Sequence, residues 1–191
     1  MTSKLTRSLL SSAAAGLSLS LLSVLPAGAH GSAEHGVIDG ALHPLLGLDH
    51  LLMLVAVGLC AAQAGRQVLG YALAGALIGS VLGSFGGQLP GAEVLAALAL
   101  SAVAAVLVLV LRGLCSRQIL ALTVAGGVSV HALLHGLESS GSSFWWAGAL
   151  LGSIAVVSAS AWLSQRLERG GASLGAALLA LAGGLLALAP L

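Results

Sequence analysis

The chain has 191 residues, of which 58% are hydrophobic and only 7% charged, with a net charge of +1 and a mean hydropathy of +1.08. Soluble domains carry about 25% charged residues, so this composition excludes a water-soluble globular protein and predicts an all-α membrane protein. The apolar runs are continuous rather than alternating, which excludes a β-barrel. The absence of any basic block argues against nucleic acid as a partner.

Residues 1–29 read as a cleavable signal peptide. Lys4 and Arg7 precede an apolar stretch from Leu9 to Leu25, and Pro26-Ala27-Gly28-Ala29 ends in the small-x-small pattern of a cleavage site. Cleavage there starts the mature chain at His30, with a free α-amino group beside an imidazole. Residues 30–42 form a short polar lead containing His30, Glu34, His35 and Asp39. Residues 43–191 hold six apolar segments near 43–64, 67–86, 91–111, 118–138, 144–163 and 173–190. Each is close to the ~20 residues that span a bilayer.

The arginines give an orientation. A cleaved signal leaves the N-terminus outside, so the first, third and fifth connections face the cytoplasm. Those connections carry Arg66, then Arg112 and Arg117, then Arg166 and Arg169. The second and fourth connections carry no basic residue, as the positive-inside rule requires. The only two cysteines, Cys60 and Cys115, fall on that reducing side and are too far apart for a CxxC site. Gly75, Gly79, Gly83 and Gly87 form a four-residue ladder that predicts close helix packing in lipid. Trp145 and Trp146 open the fifth segment as expected interface anchors.

Titratable groups at membrane depth are costly and mark ion or proton paths. Here they are His43, Asp49, His50, Glu93, His131, His135 and Glu138, and the expected topology puts all of them in or at the outer half. His131, His135 and Glu138 share one helical face by their i, i+4, i+7 spacing. The two imidazoles are about 6 Å apart along the axis, within reach of one ion. His43 and His50 also share a face, but roughly 10 Å apart, too far for one ion on a regular helix. Pro44 favours a first helical position, so His43 is expected on a non-helical lead that folds back, or as a separate outer station. Gly47 leaves the backbone room for that. Glu93, just after Pro90-Gly91, suits a helix N-terminus electrostatically. Each residue alone is compatible with simple packing; the arrangement together points to a metal site. Imidazoles with carboxylates and no thiolate suit nickel, cobalt or zinc rather than copper(I).

At these residues the chain resembles the HupE/UreJ family of bacterial nickel or cobalt permeases. The resemblance rests on HPLLGLDH, His43 to His50, running into LLMLVAVGL, and on HALLHGLE, His131 to Glu138. It departs from the family pattern at Ala132, where Gly is expected, and in lacking a histidine in the fifth segment. The resemblance implies a permease of the bacterial inner membrane with a periplasmic mature N-terminus. Its cargo would be Ni²⁺ or Co²⁺, with no prosthetic cofactor, and transport would be facilitated or secondary. Metal ligands would be His43, Asp49, His50, His131, His135 and Glu138, with His30 and His35 collecting the ion. Partners are the ion and the lipid bilayer, and a homo-oligomer is left open. The alternatives are an intramembrane metal-dependent enzyme on the same cluster, and an accessory subunit whose histidines only pack.

Overall fold

A computed structural model describes residues 36–137 and 143–188. Those residues form seven helices: α1 (Val37–Leu46), α2 (Leu48–Ala64), α3 (Gln67–Ser84), α4 (Ala92–Leu111), α5 (Arg117–Leu137), α6 (Ser143–Ser164) and α7 (Arg169–Leu188). Five of them are long and apolar enough to cross a membrane; α1 and α2, bent by 82° where they join, pass the same test only as a pair, as a broken span or a re-entrant loop. Five of the six expected segments are thus single helices to within a few residues, and the first, expected over 43–64, is instead the bent pair α1–α2. Residues 37–42, expected as polar lead, are the first turns of α1. The signal-peptide region lies outside the described residues.

The outside of the bundle is rich in large apolar side chains. Leu73, Leu77, Ile78, Val81 and Leu82 of α3 are all exposed, Leu77 at 59%. Water would penalise such a surface, whereas lipid tails do not. Inside, α2 is the central post and touches each of the other six helices. Met53, Val57, Leu59 and Cys60 of α2 join Leu100, Val103 and Leu107 of α4 and Leu120 and Val124 of α5 in the core.

Small residues set the distances between helices. Without a hydrophobic drive between helices in lipid, association rests on close van der Waals approach. On α3, added Cβ atoms at Gly75, Gly79 and Gly83 would strike the carbonyls of Ala125, Ser129 and Leu133 on α5. Gly136 of α5 answers from the other side, against the carbonyl of Ser80. Three rungs of the expected ladder thus pack; the fourth does not. Gly87 lies beyond α3, where its N–H donates to the Leu82 carbonyl at 2.9 Å.

The same device joins α1 to α6, where Gly40 meets the Trp145 carbonyl and Gly148 and Gly152 meet those of Val37 and Ala41. Gly58 of α2 sits against Val157 and Ser160 of α6, and Gly183 of α7 against Ala97 and Ser101 of α4.

The α4–α5 connection is a glycine C-cap. Gly113 has φ 74°, and Leu114 N–H donates to the Leu109 carbonyl at 2.8 Å, the six-to-one bond of a Schellman ending.

Candidate metal centre

The site begins with one backbone residue. Gly47 is extended, at φ −78° and ψ 115°, and is both the last cap of α1 and the first cap of α2. Its N–H donates to the His43 carbonyl at 3.2 Å, and its carbonyl accepts from Leu51 N–H at 2.9 Å. One helix therefore ends and the next begins without an intervening loop. The resulting bend carries His43 back over α2, so that its ring centroid lies 5.1 Å from that of His50. This corrects the expectation of a non-helical His43. Pro44 lies inside α1, buried, rather than at a first helical position, and the fold-back happens three residues later. Gly47 is also needed for space, because a Cβ there would run into the His50 imidazole.

Asp49 and His50 occupy the first turn of α2, and His131 and His135 come from the last two turns of α5. Asp49 ties two of these rings together. Its Oδ1 accepts from His50 Nδ1 at 2.8 Å, and its Oδ2 accepts from His131 Nε2 at 3.1 Å. A carboxylate only accepts, so it fixes which nitrogen of each neutral ring carries the proton and leaves the other with a lone pair. The free nitrogen of His50, Nε2, meets His135 Nε2. Among the described residues the free nitrogen of His131, Nδ1, is buried with no hydrogen-bond partner, and His43 Nε2 is buried in the same condition. Buried nitrogens without partners are costly in an apolar bundle, and a bound cation would satisfy them.

The ring contacts complete a tight cluster. His43 and His135 lie 4.8 Å apart by centroid, His50 and His131 4.9 Å, and His50 and His135 4.6 Å. Two ligand sets result, His43–His50–His135 and Asp49–His50–His131, with ligand atoms in each within 4.8 Å of one another. Metal–nitrogen bonds of about 2.0–2.1 Å put ligand atoms roughly 3–4 Å apart around one ion. Each set is therefore near coordinating size. The donors are imidazole and carboxylate, a set that suits nickel, cobalt and zinc.

Five of the eight expected ligands are thus brought together from α1, α2 and α5. Glu138, His30 and His35 lie outside the described residues. Glu93 stands exposed in the first turn of α4 and belongs to neither ligand set. One neighbour was not anticipated. Trp145, expected only as an interface anchor, packs edge-on against His43 at 5.1 Å. Its position follows from the glycine contacts of α1 with α6, whose small-residue spacing is visible in Gly148 and Gly152.

The family model described as HupE / UreJ protein matches residues 17–191. The chain belongs to the HupE/UreJ family. The match takes in every helix described above, and within it lie both histidine segments of the cluster. Comparisons with curated proteins and with solved structures give no match. Membership agrees with the bundle of long apolar helices, and together they make this HupE/UreJ chain a multi-pass membrane protein.

Proposed function

We propose that this protein takes up Ni²⁺ or Co²⁺ across the bacterial inner membrane through the histidine–aspartate cluster, as a carrier rather than a catalyst. The observation that carries the reading is the meeting of four imidazoles and one carboxylate from three helices inside an apolar bundle. Among the described residues two buried ring nitrogens, on His43 and His131, have no hydrogen-bond partner, which favours ion binding over a packing role alone. Membership of a family of metal transporters supports the same reading.

In this account the chain starts outside, and His30 and His35 collect the hydrated ion. His43, His50, His131 and His135, with Asp49 and Glu138, replace its water. The carboxylates offset its charge and the imidazoles select its type. The membrane potential supplies the drive. A doubly charged ion gains about 4.6 kcal/mol from 100 mV, negative inside, twice the value for one charge.

Metal-starved cells expressing the protein are expected to accumulate radiolabelled nickel or cobalt above cells carrying an empty vector, with excess unlabelled ion competing. Accumulation at the vector level for both ions would overturn the assignment of cargo.

A further inference from the structure

Resting on that reading, the geometry points to two alternative ion positions that share His50 and exclude one another, so that the ion is handed over within the cluster. The two ligand sets overlap only at His50. Its two nitrogens face different sets, Nδ1 toward Asp49 and Nε2 toward His135. A neutral imidazole offers one lone pair, so the ring serves one position at a time.

Asp49 changes role between the two. With the ion on His43, His50 Nε2 and His135, Asp49 accepts the Nδ1 proton and orients the ring, the usual arrangement behind a metal-bound histidine. With the ion on Asp49, His50 Nδ1 and His131, the carboxylate coordinates directly. The hand-over then needs the His50 proton to move from Nδ1 to Nε2 and the His131 proton to move from Nε2, which faces Asp49, to Nδ1, which has no partner among the described residues.

The two positions are staggered along α5. His131 lies four residues before His135, about 6 Å further into the bundle along that helix. It is 7% exposed, whereas His135 is half-buried. The partnerless Nε2 of His43 belongs to the first set, so that position has a donor with unsatisfied binding capacity.

The test is titration of the purified full-length protein in detergent with Ni²⁺ and Co²⁺, following heat and the cobalt absorption spectrum. Wild type is expected to bind one ion per chain. His43→Ala should still bind one ion, with a spectrum showing carboxylate ligation, and His131→Ala should bind one ion in an all-imidazole environment. The double variant and His50→Ala should each weaken binding on the order of 100-fold. The Gln variants at 43 and 131, checked for monodispersity, repeat the comparison if an Ala variant does not fold.

Two ions bound at once to wild type would overturn the shared-ligand proposal. So would loss of binding in both single variants, which means one composite site. In either case the metal reading survives. No ion bound to folded wild type overturns that reading as well.

Discussion

At the scale of single residues, the cluster depends on two that do not donate a ring. Gly47 makes the bend and leaves the space into which the His50 imidazole fits. Gly47→Ala should therefore displace that ring, weakening nickel affinity at least about 10-fold while the protein still folds, as calorimetric titration of a monodisperse sample would reveal. Asp49 holds both His50 and His131. Asp49→Asn keeps the shape but removes the charge and half of the accepting capacity. Its nickel affinity should fall about 10–100-fold, the usual cost of a lost partner to a metal-bound histidine. Unchanged affinity in this variant would mean that Asp49 neither ligates nor orients.

At the scale of elements, α3 is the buttress behind the histidines of α5. Gly79 and Gly83 abut Ser129, Leu133 and Gly136, residues interleaved with His131 and His135 on the adjoining face. Gly79→Leu should push α5 away, costing about 1–3 kcal/mol by overpacking and lowering the melting temperature and the folded yield. Gly70 of the same helix has open space around its Cα. Gly70→Ala should be neutral or stabilising by up to about 1 kcal/mol, because alanine favours a helix. A thermal melt of the two variants side by side separates packing from propensity.

Much of this level was legible in the chain itself. Continuous apolar runs fix the helices through their lengths, and Gly75, Gly79 and Gly83 announce a packing face by their spacing. The pairing of His131 with His135 follows from helical periodicity. The break at Gly47 was not legible, because whether a glycine ends a helix depends on what its neighbours gain by folding back. Here that gain comes from α6: Pro44 and Gly40 seat α1 against Gly152 and Trp145. Such contacts are long-range, and a local pattern carries no trace of them. The same long-range packing put Trp145 against His43, whereas Gly87 falls outside the ladder for a local reason: Gly86 at φ 78° caps α3 and Gly87 N–H closes back on the Leu82 carbonyl.

At the scale of the whole molecule, the site and the arginines lie at opposite ends of the bundle. The cluster stands at the start of α2 and the end of α5, whereas Arg66, Arg112, Arg117 and Arg166 follow the ends of α2, α4 and α6 or open α5, and Arg169 opens α7. In the orientation that the positive-inside rule favours and the proposed function adopts, the arginine end is cytoplasmic and the histidine cluster faces outward. An outward site loaded with a dication is driven inward by the potential. A protonophore that collapses the potential should therefore reduce nickel accumulation severalfold within minutes, without altering initial binding to purified protein. That drive is worth about 4.6 kcal/mol per 100 mV for a doubly charged ion.

His50 is the residue on which every level converges, since it belongs to both ligand sets and stands in the first turn of the central helix. The most direct measurement is nickel and cobalt accumulation in metal-starved cells, comparing wild type with His50→Ala at matched membrane abundance. The account predicts accumulation in the wild type and a fall to the vector level in the variant. Equal accumulation in both would contradict transport through this cluster.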